Sequence, residues 1–472
     1  MVVVGSGPNG LAAAITLQRE GLTVLIAEAR SSAGGGLRSA ELTLPGFTHD
    51  VCSAVHPMAA ASPFFLSIPL SEYGLEFVFP GLAMAHPFAN GKVAILSQSI
   101  PETALSLGED GKSYERMMNM VMQDWSRIFP EILSPLHFPK YPLAVARFGT
   151  KAILPATRLI HKYFRGPQAS GFFAGMAAHS MRSLSTAASS AFGLVLAGIA
   201  HSTGWPVAKG GSGRIVEALS AYFISLGGKI ELNFPVTSLG QLPSSHAIML
   251  DTSPHQLLQI AGQRLSYIYQ WQLKRYRYGM GVYKMDWAIE GSIPFTAPEC
   301  RLAGTLHLGN SFGEIEDSES AAARGSLSDS PFVLLAQQSL FDPSRSPDGK
   351  HTVWGYCHTP LGSVADRSAD IEKQVERFAP GFRDRILARH IMNPADMEAY
   401  NPNCLGGAID GGEESLSQLF TRPALRFSPY RTSAKGIYLC SSSTPPGGGA
   451  HGMCGYHAAL RVLRDIFNLK PT

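Results

Sequence analysis

A chain of 472 residues exceeds what one hydrophobic core usually supports, so two domains with a shared interface are expected. Apolar residues reach 45% while charged residues are only 16%, against a typical value of about 25%, and the formal net charge is +3. This balance suits much buried surface or a greasy partner. It excludes a nucleic-acid binder, because no basic run interleaved with aromatics occurs, and no run of about 18 apolar residues is present to span a membrane.

Val2 to Val4 reads as a short buried strand, followed by Gly5-Ser6-Gly7-Pro8-Asn9-Gly10 and a helix from about Leu11 to Glu20. A second strand, Thr23 to Ala27, ends at Glu28. In this order the glycines permit a tight turn (Gly5), backbone approach to a pyrophosphate (Gly7) and close helix–strand packing (Gly10), with the helix N-terminus offering free N–H groups to phosphate. Glu28 stands where a ribose hydroxyl is bound. A second glycine cluster follows in Ala29-Arg30-Ser31-Ser32-Ala33-Gly34-Gly35-Gly36-Leu37-Arg38.

The middle of the chain departs from this pattern. A helix is expected over Tyr114 to Phe129, carrying Met117, Met118, Met120 and Met122 as core filler or as an adaptable pocket wall. Between Glu131 and Glu217 there is no acidic residue, whereas Lys140, Arg147, Lys151, Arg158, Lys162, Arg165, Arg182, Lys209 and Arg214 are present among apolar residues. Three readings stay open: an anionic membrane surface met through 140–182, a helical cap whose bases are solvated or paired with distant acids, or an entrance for an anionic substrate. Lys209-Gly210-Gly211-Ser212-Gly213-Arg214 follows Trp205-Pro206, which does not read as a buried strand, so no second dinucleotide turn for a nicotinamide is expected. Gly228 to Val236 reads as a further strand region. Gly281 to Ile289 alternates, with Tyr283, Met285, Trp287 and Ile289 opposite Val282, Lys284, Asp286 and Ala288; Phe332 to Gln338 and Thr352 to His358 read as strands of the same mixed sheet, and Ile371 to Phe378 as a helix.

Near the C-terminus a strand over Gly436 to Ser442 runs into Ser443-Thr444-Pro445-Pro446-Gly447-Gly448-Gly449-Ala450-His451-Gly452, and a helix follows from Met453 to Phe467. Again a strand feeds a glycine-rich turn and a helix N-terminus, which favours negative charge. The six cysteines form no CxxC pair, so neither a disulfide framework nor disulfide redox chemistry is expected, and a reducing, intracellular compartment is the default. The first residues leave no room for a signal peptide, and no His/Cys/acid spacing suggests a metal.

The second glycine cluster with Arg38, and the Pro-Gly-Gly turn at 446–448, resemble the FAD signatures of the phytoene desaturase and amine oxidase superfamily of flavoproteins. The segments 205–211, 281–287 and 447–456 are most similar to the phytoene desaturase-like branch related to pyridine nucleotide-disulfide oxidoreductase domain-containing protein 2. The resemblance implies an α/β fold, with a discontinuous Rossmann-type FAD-binding domain (1–80, 205–265 and 426–472) and an α+β substrate domain (81–204 and 266–425). It implies one FAD, bound non-covalently by Gly5, Gly7, Pro8, Asn9, Gly10, Glu28, Ala29, Gly35, Gly36, Leu37, Arg38, Val236, Ser442, Gly447, Gly448, Gly452 and Met453, with the Val236 backbone at the adenine.

The activity implied is desaturation or dehydrogenation of a lipophilic, isoprenoid- or lipid-like molecule by hydride transfer to flavin N5, with oxygen, a quinone or another acceptor reoxidising the cofactor. His451 is a candidate base, flavin polariser or loop hydrogen-bonder, and Tyr430 and Arg431 are candidates to face the flavin. His179 and His201 read as satisfied core histidines. Other readings on the same scaffold are a flavin amine oxidase, a redox-neutral isomerase using reduced FAD, and a non-redox lipid chaperone of the GDP-dissociation-inhibitor type. The intact set Gly5, Gly7, Gly10, Glu28 and Arg38 argues against the last.

Overall fold

A computed structural model describes residues 1–469. Three distant stretches of sequence build one five-stranded parallel sheet, in the spatial order Ile437–Leu439, Ile248–Leu250, Val2–Val4, Leu25–Ala27, Lys229–Glu231. The central strand Val2–Val4 is buried along its whole length, as an all-apolar run with both sheet faces covered requires. Strand succession reverses direction between Val2–Val4 and Ile248–Leu250. Such a switch point opens a crevice at the carboxyl ends of the strands, where doubly wound sheets bind their ligands. The helices Pro8–Arg19 and Met453–Ile466 pack on one another above it.

The second sheet is seven-stranded and mixed: Ile386–Met392, Gly281–Glu290, Lys350–Thr359, Val333–Ala336, Ala303–Leu308, Leu82–Pro87, Val93–Leu96. Every neighbouring pair is antiparallel except Ala303–Leu308 with Leu82–Pro87. Tyr283, Met285, Trp287 and Ile289 share one face and pack with Phe378 and Phe382. Val282, Trp354, Tyr356 and Met392 join instead the core that continues into the parallel-sheet unit. The polar side of the alternation is therefore interior as well: Lys284 and Asp286 are buried against each other.

Helices from Gly111 to Ser202 cover this inner face in part. The single helix expected over Tyr114 to Phe129 is two, Gly111–Gln123 and Trp125–Ile132, because Asp124 leaves the helical conformation and its carboxylate is held by Arg147 at 2.5 Å. Met117 and Met118 fill the core beside Tyr114, whereas Met120 is exposed. In the acid-free stretch, Arg147 pairs with Asp124, Arg182 with Glu413, Lys209 with Glu76 and Arg214 with Glu217. Phe138 and Leu143 nevertheless stand out at 87% and 77% exposure beside Lys140. No helix among the described residues is long and apolar enough to cross a membrane.

Trp205-Pro206-Val207-Ala208 is buried, contrary to the expectation from its proline, because Val207–Ala208 pairs antiparallel with Phe77–Val78. The turn after it thus lies outside the parallel sheet. Arg345 ties the two units together from a fully buried position: its guanidinium bonds Asp50 at 2.6 Å, Asp342 at 2.9 Å and the Ala208 carbonyl at 2.6 Å.

Candidate dinucleotide and substrate site

The first glycine turn is built by close contact. Gly5 holds φ at +99°, and a Cβ on Gly10 would lie 2.2 Å from the Gly5 carbonyl oxygen, so any side chain there forces the helix off the strand. Pro8 occupies the first helical turn, the N-cap residue Gly7 has no side chain to cap the helix, and the turn itself carries no acidic residue. Asn9 leaves a buried Oδ1 without a partner among the described residues. Gly35 meets Gly7 closely enough that an added Cβ would come within 3.0 Å of its Cα, so the two N-terminal glycine turns touch.

Glu28, at the end of Leu25–Ala27, accepts from the Ser6 N–H at 3.0 Å and the Arg30 N–H at 2.9 Å, and pairs with Arg38 at 3.3 Å. Arg38 also donates to the carbonyls of Ser32 and Gly35, wrapping its own loop, while Leu37 is buried and Ala29 exposed. The strand region expected to reach Val236 ends at Glu231. Beyond it the Asn233 and Phe234 N–H groups bond the carbonyls of Arg30 and Glu28, which lays the chain alongside the Glu28 turn, and Val236 packs with Leu239 and Leu257.

Asp251, not singled out from sequence, closes the crevice at the end of Ile248–Leu250. Its Oδ2 accepts the Gly10 N–H at 2.9 Å and would meet a Cβ on Gly7 at 2.8 Å. Burial, and secondarily the charge of Glu28, raise its carboxyl to about 7. Because the folded value exceeds the unfolded one, the folded chain holds the extra proton and loses stability as pH rises from about 4 to about 7. Asp251→Asn is expected to flatten this dependence by about 2–4 °C in the Tm of the flavin-free protein across that range.

The second glycine turn meets the first. Gly452 precedes the helix Met453–Ile466, and a Cβ on it would lie 3.0 Å from that of Ala12; one on Gly455 would lie 1.8 Å from the Asn9 carbonyl oxygen. The turn is held from behind. Arg422, buried, donates to the Ser442 carbonyl at 2.9 Å and pairs with Glu414 at 3.0 Å, and Glu414 accepts the Gly448 N–H at 3.2 Å. Gly447 lies against the same carboxylate.

His451 sits inside the turn, and its Nδ1 accepts the Met453 N–H at 3.0 Å. Burial lowers it to about 4, so the ring is neutral and committed to the loop. The Tyr430 hydroxyl donates to the Pro445 carbonyl at 3.0 Å and supports the turn from its rear. Arg431 pairs with Asp465, far along the closing helix, and the structure does not bring it to the glycine turns.

The inner face of the mixed sheet lies next to these turns. The Trp354 indole donates to the Cys52 carbonyl at 3.0 Å, and the Cys52 thiol, pushed up to about 11 by burial, borders Gly36. Tyr356 and His358 continue the row on this strand, with Lys284 and Asp286 on the next. Sequence reading missed this row, although the period of two in 352–358 places those residues on one side. His201 is satisfied by the Tyr114 hydroxyl at 2.7 Å, and His179 Nε2 lies 3.0 Å from that of His307. No cluster able to hold a metal ion occurs among the described residues.

These features fit FAD: two helix N-termini that begin at glycines and carry no acid of their own in the first turn, a buried unpaired Asn9 oxygen, and glycine surfaces that side chains would fill. Residues 3–64 match the NAD(P)-binding Rossmann-like domain family. Over 99% of this chain and 94% of the other, the sequence is 24% identical to pyridine nucleotide-disulfide oxidoreductase domain-containing protein 2 of Rattus norvegicus. It is 23% identical to the lycopene-forming phytoene desaturase of Pseudescherichia vulneris over 96% of each. Its fold matches cyclohexylamine oxidase from Brevibacterium oxydans IH-35A with a TM-score of 0.60, at 15% identity over 99% of both chains. Over nearly its whole length the chain is thus similar to phytoene desaturase-like and amine oxidase flavoproteins, and it is an FAD-type oxidoreductase.

Proposed function

We propose that the protein dehydrogenates a lipophilic small molecule by hydride transfer to FAD held without a covalent bond. The observation that carries this reading is the meeting of the two glycine turns at Asn9 and Gly455, which places both helix N-termini on one crevice. Bound there, FAD supplies the two-electron oxidation. Gly5, Gly7, Pro8, Asn9 and Gly10 would hold its diphosphate, Glu28 a ribose hydroxyl, and the Val236 backbone the adenine edge. Gly35, Gly36, Arg38, Ser442, Gly447, Gly448, Gly452 and Met453 would line the flavin half.

Trp354 and Tyr356 exclude water and present an apolar wall to the substrate, with the Lys284–Asp286 ion pair enclosed on the same face. The Cys454 thiol donates to the carbonyls of Thr444 and Gly447 and is pushed up to about 12 by burial, so it is no nucleophile for a covalent flavin link. Oxygen, a quinone or another acceptor completes the cycle.

Purified protein is expected to be yellow, to release FAD on denaturation and to bleach on anaerobic photoreduction. A colourless protein that takes up no added FAD would overturn the reading. The basic, apolar face around Phe138, Lys140 and Leu143 further supports peripheral contact with an anionic membrane. Flotation with phosphatidylserine vesicles should carry the protein upward, and recovery of all of it at the bottom of the gradient would remove that part.

A further inference from the structure

One buried cluster on the inner sheet face has no part in holding the dinucleotide. His358, on Lys350–Thr359, points its Nδ1 at Glu319 Oε2 across 2.7 Å, and both side chains are fully buried. Glu319 comes from the helix Phe312–Ala323. The carboxylate is an acceptor, so Nδ1 carries the hydrogen, and in the neutral ring that tautomer leaves the lone pair on Nε2. That Nε2 and the second oxygen, Glu319 Oε1, have no partner among the described residues. An acceptor stranded at this depth is costly unless a ligand group meets it.

Apart from the Glu319 carboxylate, the nearby titratable groups Tyr356, His179 and His307 are uncharged. Tyr356, with its ring centroid 5.5 Å away, is held protonated by burial. His179, at the end of the helix Pro167–Ala178, is lowered to about 3 by burial, with His358 itself a lesser cause. His307, on Ala303–Leu308, is likewise neutral. Val282 lies opposite His358 in the sheet. Along the same strand face, Tyr356 and Trp354 lead from His358 to Cys52 and the Gly36 turn.

We propose that His358, oriented by Glu319, is the proton acceptor of the substrate pocket, and that the substrate presents to it an O–H or N–H on the atom next to the carbon that is oxidised. This rests on the flavin reading above. In the reaction the C–H hydrogen leaves with its electron pair to oxidised flavin. The O–H or N–H proton passes to His358 Nε2, and the pair released from that bond becomes the second bond of C=O or C=N. Glu319 holds the imidazolium that forms. An unfunctionalised hydrocarbon chain offers no hydrogen-bond donor to the resting lone pair, so the substrate that meets it is an amphiphile with a hydroxyl or amine beside its apolar body.

The test is binding to the yellow holoenzyme, followed by calorimetry with 1-decanol and its methyl ether, which keeps the oxygen and lacks the donor. The wild type should bind the alcohol about tenfold or more tightly than the ether. His358→Phe with Glu319→Leu, which removes both buried partners together so that neither is stranded, should erase the preference. Should that pair fail to fold, His358→Phe alone serves: it removes the Nε2 acceptor and collapses the preference while leaving FAD content unchanged. Equal binding of alcohol and ether by the wild type, binding of neither, or a preference that survives the substitutions would overturn the proposal. A colourless preparation would instead count against the flavin reading.

Discussion

Gly455→Ala should give a protein that binds FAD at least about 100-fold more weakly and is less stable by about 3 kcal/mol. The added Cβ would lie 1.8 Å from the Asn9 carbonyl oxygen, against backbone that no rotamer change can move aside. The closing helix must retreat from the first, and with it the N-terminus that starts at Gly452. Both halves of the crevice are then displaced by one methyl group on a residue that would itself touch no part of the dinucleotide. Flavin absorbance of the purified variant, titrated with FAD, together with a denaturant melt, measures both effects. Full retention of colour would show that the two helices do not need their present spacing.

Arg345→Met is expected to cost about 3–5 kcal/mol and to leave little soluble protein. Burial by itself would raise the Asp50 carboxyl, yet Arg345 and the Ser212 N–H hold it below its usual value, so it stays ionised in the interior. Removing the guanidinium strands Asp50 and Asp342 together and frees the Ala208 carbonyl. Arg345→Lys should recover only a small part, since an ammonium lacks the planar fork that reaches three acceptors in different directions. Chemical denaturation of the wild type and both variants checks the order. Wild-type stability in Arg345→Met would mean that the network is not what joins the two sheets.

Much of the cofactor crevice could be read from sequence because each half is local: strand, glycine turn and helix follow one another at 2–19 and again at 437–466. The mixed sheet was legible for the same reason, through the alternation in 281–290. What alternation does not reveal is what covers each face. Lys284 and Asp286 read as the polar side, and the structure buries that side as well. Asp251 escaped notice because its meaning depends on Gly10, 241 residues away, and His358 because its partner Glu319 lies on a helix 39 residues upstream. Arg431 attracted attention by preceding the last strand, but its side chain is claimed by Asp465. In each case the decisive contact is between segments whose spacing along the chain carries no signal.

The parallel sheet takes one edge strand, Ile437–Leu439, from far along the chain from its central strand Val2–Val4. A nascent chain leaving the ribosome therefore holds the first glycine turn through more than 400 residues of synthesis before the segment that completes the crevice emerges. On the proposed reading, cofactor capture therefore waits for residues 437–466, and a chain truncated before residue 437 is expected to purify without FAD.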